Sequence, residues 1–167
     1  MGYTTDFTGS FGLNEPLSTA HLNYLTKFSQ TRRMGRKASI AATFPDPDRE
    51  AAGLPIGDDG AYYVGATGDF GQCEDNSIIN YNANPTGQPG LWCQWIPLGN
   101  EDIGWDGGEK FYNYIEWLEY IIKHFLAPWG YVLSGTVAWQ GEDSDDFGKI
   151  VVKNNVVTIK RGKKVYD

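Results

Sequence analysis

The stretch that decides the fold class is YVLSGTVAWQGEDSDDFGKIVVKNNVVTIK, residues 131–160. Its first ten residues alternate apolar with small or polar side chains, the period-2 pattern of a strand with one buried face. The segments KIVVK and VVTIK then flank Asn154 and Asn155. This pair suits a two-residue hairpin turn, because asparagine tolerates positive φ. The stretch therefore predicts an antiparallel meander.

The clearest helical pattern lies just upstream of this meander. Apolar residues recur at three- and four-residue steps from Phe111 to Phe125. Asp106 and Glu109 have the spacing of a capping box, and Pro128 forbids continuation of a helix. We therefore expect a helix over residues 109–126.

The N-terminal part of the chain contains one strand pattern and one helix pattern. TDFTGSFGL alternates in the manner of a strand that starts near Thr5. EPLSTAHLNYLTKFSQ predicts a helix with Ser18 as its N-cap, and Gly35 is expected to close it. Three apolar segments bounded by turn residues predict short strands; they are 61–66, 77–82 and 91–98.

These elements show no repeat and no regular βαβ alternation. They predict an α+β fold, a mostly antiparallel β-sheet with two main α-helices packed on one face. A chain of 167 residues is the usual size of one domain, so 1–167 is expected to form a single globular domain. Within it, 36–60 is predicted to be a long surface excursion with one helical turn at 48–52, and 161–167 a basic tail.

Composition and targeting signals indicate a cytoplasmic protein. The chain is 41% hydrophobic and 21% charged, close to the globular average. Cys73 and Cys93 lack a metal-ligand spacing, and the first residues lack a basic segment followed by an apolar run. The longest apolar candidate, 114–126, is interrupted by Glu116, Glu119 and Lys123, which argues against membrane insertion.

The net charge of −7 is unevenly distributed along the chain. Residues 1–60 carry −1, residues 61–148 carry −11 and residues 149–167 carry +5. We expect two positive poles around an acidic middle: the basic cluster TRRMGRK at 31–37 and the basic tail. Such a field repels nucleic acid, so no direct nucleic-acid binding is expected, and it favours a basic partner.

Three patterns contain residues that occur at metal, phosphate or catalytic sites, but we favour a structural explanation for each. GEDSDDFG at 141–148 supplies only part of a Ca²⁺ ligand set. The glycine-rich segment at 57–72 matches no phosphate-binding spacing and carries three aspartates. A Cys93–His124 dyad lacks an orienting group, and the helix dipole near the C-terminus is enough to account for a charged His124. We therefore expect no metal, no cofactor and no catalytic residue.

All six tryptophans fall between residues 92 and 139. If LWCQW is a strand, Trp92 and Trp95 point to opposite faces, so one ring is core and the other needs a cover. An aromatic wall with nearby polar groups is what a sugar or nucleotide site requires. The alternative function is therefore a small-ligand module using Trp92, Gln94, Trp105 and Tyr112.

Three segments of the sequence are distinctive: PGLWCQW, WDGGEKFYNYIEWLEYII and LSTAHLNYLTKFSQTRRM. Together with most of the C-terminal stretch, they resemble a group of short uncharacterised proteins from bacteria and their phages. The resemblance covers most of the chain. It implies no known activity and transfers no functional residue. Small acidic phage or prophage proteins often bind a host protein, and inhibitors of defence systems, such as anti-CRISPR proteins, are a prominent class.

The leading hypothesis is a non-enzymatic interaction protein whose acidic surface binds a basic host protein. Its predicted binding residues are Glu101, Asp102, Asp106, Glu109, Glu116, Glu119, Glu142, Asp143, Asp145 and Asp146. If the helix over 109–126 runs antiparallel to the strand that follows it, residues 140–146 return beside the helix start. Asp143 and Asp106 should then lie at the same end of the domain.

Overall fold

The structure is a computed structural model that describes residues 2–71 and 74–165. The chain divides into two compact units. We call Met1–Pro16 with Gln94–Asp167 the sheet unit, and Leu17–Cys93 the inserted unit. Whether the two units fold cooperatively as one domain stays a prediction.

Strands and helices alternate irregularly along the described part of the chain. The strands are β1 (Asp6–Leu13), β2 (Gly35–Arg36), β3 (Ile78–Asn80), β4 (Trp95–Leu98), β5 (Asp102–Trp105), β6 (Leu133–Gln140), β7 (Phe147–Lys153) and β8 (Val156–Arg161). The helices are α1 (Thr19–Ser29), α2 (Ala38–Ala41), α3 (Pro47–Ala51) and α4 (Tyr114–Ile121), with a 3₁₀ turn at Asp58–Gly60 and a π-helical turn at Ile122–Leu126.

The sheet unit contains a six-stranded antiparallel sheet in the order β4-β5-β1-β6-β7-β8. The fold is therefore α+β with a mainly antiparallel sheet, as the sequence predicts. α4 covers the buried face, where the Tyr114 ring lies 4.9 Å from Phe7 and 6.3 Å from Trp139. The other predicted main helix, α1, belongs to the inserted unit, where it packs on α3.

The predicted meander is confirmed in β6, β7 and β8. Asn154 and Asn155 form the turn between β7 and β8 with φ of 49° and 67°, the left-handed conformation that such a turn needs. Val137 and Trp139 are buried in the core, while Thr136 and Gln140 are exposed and Ala138 is half-buried. Side-chain period and turn chemistry therefore agree with the tertiary structure in this part of the chain.

The predictions around β4 and β5 are less accurate. The sequence gives no sign of β5, since DIGW is only four residues long and contains an aspartate and a glycine. It is a strand because it pairs on both sides, with Ile103 opposite Phe11 of β1 and Trp105 opposite Trp95 of β4. The predicted strand 91–98 begins only at Trp95, so the placement of Trp92 and Trp95 on opposite faces of one strand is wrong.

The predicted helix 109–126 begins five residues later, at Tyr114. Asp106 does not cap it, because the Asp106 carboxylate instead accepts a hydrogen bond from the Gly108 amide at 2.7 Å. The backbone turns at Lys110 and Asn113, both with positive φ, before the helix starts. The C-terminal part continues as the π-helical turn Ile122–Leu126 and ends before Pro128, as predicted.

The inserted unit departs most from the sequence predictions. α1 has the predicted Ser18 cap, whose hydroxyl accepts from the His21 amide at 3.2 Å, but it ends at Ser29 and not at Gly35. Segment 61–66 forms turns, whereas segment 77–82 contains β3. Segment 36–60 is no simple surface excursion, because it contains α2 and α3 and buries Ala41 and Asp46.

Candidate functional site

Strand register assigns the predicted acidic residues to two opposite ends of the sheet. β1 pairs with β6 so that Asp6 lies opposite Gln140 and Leu13 lies opposite Leu133. The loop at 141–146 therefore lies at the Asp6 end. Asp102 pairs with Gly12, and the Glu101 carbonyl accepts from the Leu13 amide at 2.8 Å. Glu101 and Asp102 consequently lie at the other end, apart from the 142–146 carboxylates.

The loop at 141–146 is fastened by hydrogen bonds through its own carboxylates. Asp146 accepts from the Tyr3 hydroxyl at 2.7 Å and from the Trp139 indole N–H at 2.9 Å. These two hydrogen bonds lower the pKa of Asp146. Glu142 accepts from the Thr4 amide at 2.8 Å. The loop is thus held to the N-terminal segment and to β6 and is not a free hairpin tip.

The start of α4 lies at the same end as this loop. The Tyr112 hydroxyl accepts from the Tyr3 amide at 3.1 Å, while the Tyr3 hydroxyl also accepts from the Asp143 amide at 3.1 Å. β5 runs toward this end, where Trp105 contacts Phe7 at 5.4 Å between ring centroids. The predicted antiparallel arrangement of α4 and β6 is confirmed, and Asp106 lies at the same end as Asp143.

We call this surface the acidic end. Its carboxylates come from three separate segments and are Asp6, Asp106, Glu109, Glu142, Asp143, Asp145 and Asp146. All except Asp146 are exposed. Glu116 and Glu119 are exposed on the first two turns of α4 and extend the negative surface along it. Sequence analysis missed Asp6, because its place depends on the non-local pairing of β1 with β6.

The described part of the basic tail, residues 161–165, does not form a separate positive pole, because two of its cations lie beside carboxylates. Lys164 lies 3.5 Å from Asp145, and Arg161 lines a shallow hollow together with the 143–146 carboxylates. With Lys110 the acidic end thus contains seven carboxylates and three cations, a formal charge of −4. The positive groups reduce the negative potential of the acidic end but do not reverse it.

The basic cluster at 31–37 presents only part of its charge to solvent, because Arg33 and Arg36 are only 2% and 1% exposed, whereas Lys37 is exposed. Arg33 donates to the Ala61 carbonyl at 2.5 Å, and its guanidinium lies 4.2 Å from the centre of the Phe28 ring. The Arg33–Ala61 hydrogen bond spans 28 residues of the chain, so no local pattern could have revealed it.

Two of the four residues predicted for a ligand module hold a loop together. The Gln94 amide donates to the Glu109 carbonyl at 2.9 Å, and the Trp105 indole N–H donates to the Gly108 carbonyl at 3.0 Å. Trp105 also lies 3.2 Å from the Gln94 side-chain oxygen. Tyr112 is 52% exposed at the acidic end, whereas Trp92 belongs to the inserted unit.

The side chains considered for catalysis lie in settings typical of structural residues. Cys93 is 1% exposed. His124 stacks on Tyr120 with 4.0 Å between ring centroids, and burial together with Lys123 lowers its pKa, against the predicted charged form. Cys73 lies outside the described residues.

Within residues 2–71 and 74–165, no three histidine, cysteine, aspartate or glutamate side chains are grouped to hold a metal ion. No helix over the same residues combines the length and apolar character that crossing a membrane demands.

The inserted unit contains a cleft of about 520 Å³ that sequence analysis did not find. Its walls include three aromatic rings and two carboxylates: Phe44, Tyr63, Phe70, Asp69 and Asp75. Buried Arg36 joins the carboxylates, donating to Asp69 at 2.5 Å and Asp75 at 3.0 Å, and lies 4.5 Å from the centre of the Tyr63 ring.

The glycine-rich segment beside this cleft is arranged around aspartates and not around an anion. Asp46, which is buried, accepts from the Gly65 amide at 2.9 Å. Asp69 accepts from the Gly71 amide at 2.8 Å. These backbone donors are therefore occupied, which agrees with the interpretation of the glycines as turn residues.

Comparison with known proteins found no matching family model, no matching curated protein and no matching solved structure.

Proposed function

We propose that this chain is a non-enzymatic interaction protein whose acidic end binds a basic surface of a host protein. The proposed partner normally uses that surface to hold nucleic acid, and the chain acts as an inhibitor of a defence system, as anti-CRISPR proteins do. The observation that carries the proposal is the convergence of exposed carboxylates from three segments of the sheet unit at one end of the sheet.

Electrostatics favours a basic partner over other classes. The acidic end has a formal charge of −4 and would repel the phosphates of nucleic acid. A patch of one sign raises the rate of encounter with a partner of the opposite sign and selects against wrong partners. A protein surface contains charges of both signs, so the three cations of the acidic end can pair with acids of the partner while the carboxylates pair with its bases.

The rigidity of the acidic end supports binding. Tyr3 connects the 141–146 loop to Tyr112 through three hydrogen bonds, so little loop entropy is lost when a partner binds. Tyr112 is 52% exposed among the carboxylates. An exposed tyrosine within a charged rim is a common energetic anchor of protein interfaces, so Tyr112 is the proposed anchor.

The proposal is tested by capture from host lysate, followed by affinity measurement with the purified partner at low and high salt. Reversal of Glu109 and Asp143 to lysine should weaken binding by about a hundredfold, since close charge pairs contribute about 1.5 kcal/mol or more each. High salt should weaken the wild-type complex in the same direction.

The matched control reverses Glu15 and Glu101 to lysine. Both are exposed acids of the same unit, and they lie at the Leu13 end of β1, away from the acidic end. This control makes the same change in net charge and should bind almost as wild type does. Equal loss in the two variants, or binding indifferent to salt, would refute the acidic end as the interface.

A further inference from the structure

We infer that the cleft in the inserted unit is a binding site for a small organic cation, an amidinium, guanidinium or alkylammonium group on an apolar body. This inference goes beyond the proposed function. It rests on residues of the inserted unit alone, whereas the acidic end belongs to the sheet unit.

The size and walls of the cleft fit a small ligand. Its volume of about 520 Å³ lies within the usual range of ligand pockets. The ring of Phe44 meets that of Tyr63 edge-on with 6.3 Å between ring centroids, and the ring of Phe70 stacks on that of Trp92 with 6.2 Å between centroids. Phe70 is nevertheless 57% exposed, an apolar ring left in water at the wall of a concave site. A ligand with an apolar body would cover that ring and gain from its burial.

The charges in the cleft select a cation. Asp69 and Asp75 share a single guanidinium, that of Arg36, so the three groups together carry one negative charge. Partial burial opposes ionisation of Asp75, but hydrogen bonds from Ser77 and Arg36 outweigh it and lower its pKa. Both Asp75 Oδ1 lone pairs are taken by Ser77, but among the described residues Asp69 Oδ1 accepts from the Gly71 amide and Asp69 Oδ2 from Arg36, so each Asp69 oxygen has a second lone pair to offer to a ligand N–H group.

Two other cations near the cleft are engaged in other contacts. Lys27 donates to the Ala66 carbonyl at 3.0 Å and is paired with Asp48, and Arg32 donates to the Tyr81 carbonyl and the Asn82 side-chain oxygen, both at 3.1 Å. The Arg36 donors are directed at Asp69, Asp75 and Ser77. Since the Gly65 and Gly71 amides also bond to aspartates, these donors are not open to an anion, while the exposed ring of Phe70 attracts positive charge.

Three planar molecules of nearly equal shape test the inference: benzamidine, benzamide and benzoate. They are titrated into the full ¹⁵N-labelled chain and followed by NMR. Benzamidine should bind at least about tenfold more tightly than benzamide, and benzoate should not bind. The shifts should be concentrated at the Gly65 and Gly68 amides and the Trp92 indole, which lie in or against the cleft.

Phe70→Ala should weaken benzamidine binding by about fivefold through loss of the ring face, without loss of fold because Phe70 is exposed. Tyr112→Ala, which removes a similarly exposed ring from the sheet unit, is the matched control and should leave benzamidine binding unchanged.

Equal binding of benzamidine and benzamide, no benzamidine binding, or shifts outside the cleft would overturn the inference. Reversal of Glu109 and Asp143 should not affect benzamidine binding, and Phe70→Ala should not affect capture of a host protein. The proposed function and the cation site can therefore fail independently.

Discussion

The sheet unit and the inserted unit are stabilised in different ways. The buried residues of the sheet unit are almost entirely apolar and are arranged in the periods that strands and helices impose. Of the eight buried polar or charged residues among those described, seven belong to the inserted unit; they are Thr31, Arg33, Arg36, Asp46, Arg49, Ser77 and Gln88. Hydrophobic periodicity therefore identifies the sheet unit from its sequence, but it does not predict the buried polar contacts of the inserted unit.

In the inserted unit, each charged member of a buried ion pair depends on its partner for stability. Arg49 donates to Asp46 at 2.6 Å, and the Asp46 side chain has no exposed surface. Replacing a whole buried ion pair by apolar groups can be nearly neutral, but removing one partner leaves a buried charge that is costly. We therefore expect single substitutions in this network to be as harmful as core truncations in the sheet unit.

The largest expected effect is in the apolar core. Phe11→Ala in β1 removes a ring that is 0% exposed and that packs edge-on against Trp95, with 5.7 Å between ring centroids. It should lower the free energy of unfolding by about 4 kcal/mol, measured by urea denaturation. The loss should not change with pH, because no charged group is involved. A loss below about 1 kcal/mol would mean that this site collapses around the smaller side chain.

The next effect breaks the polar network. Arg36→Met should lower the free energy of unfolding by about 3 kcal/mol at neutral pH, because Asp69 and Asp75 lose their shared partner while still partly buried. The folded-state pKa of Asp75 is lowered, so its pairing stabilises the fold above the unfolded-state pKa.

This stabilisation is lost as pH falls through the lowered pKa, so the difference between Arg36→Met and wild type should shrink in acid. Lys153→Met, at an exposed position, is the control and should change stability by less than about 0.5 kcal/mol. If the Arg36 variant is as stable as this control, the polar network is not what holds the inserted unit.

A smaller effect concerns the turn of the meander. Asn155→Ala should lower the free energy of unfolding by about 2 kcal/mol, because alanine resists φ of 67° and the side-chain bonds to Leu133 and Tyr131 are lost. Asn155→Gly, which adopts this φ freely, should lose only the hydrogen bonds and lie between alanine and wild type. Equal losses in the alanine and glycine variants would show that the hydrogen bonds and not the backbone angle determine the turn.

The smallest effect is a pH dependence at the acidic end. Hydrogen bonds lower the folded-state pKa of Asp146, so Asp146 stabilises the fold above its unfolded-state pKa and this contribution disappears as pH falls through the folded-state pKa. Asp146→Asn should be less stable than wild type at neutral pH, with a difference that narrows in acid. Thermal unfolding at several pH values measures this, and a constant difference would contradict it.

The parts that sequence analysis predicted correctly share one physical property. In the meander, in α4 after Tyr114 and at the Ser18 cap, neighbours in the chain decide the structure through side-chain period, turn chemistry or a local hydrogen bond. The errors, at β5 and at the start of α4, occur where a segment takes its conformation from partners far away in the chain. The same holds for segment 36–60.

The candidate sites divide in the same way. Sequence alone predicts an α+β chain with an antiparallel meander and an acidic middle, since period, turn residues and charge are properties of the chain. Which carboxylates meet depends on the folded structure, because strand register separates Glu101 and Asp102 from the acidic end and adds Asp6 to it. The folded structure also buries Arg36 between Asp69 and Asp75. The reason is that a partner for a charge or a strand is chosen by folding, across distances in sequence that no local pattern spans.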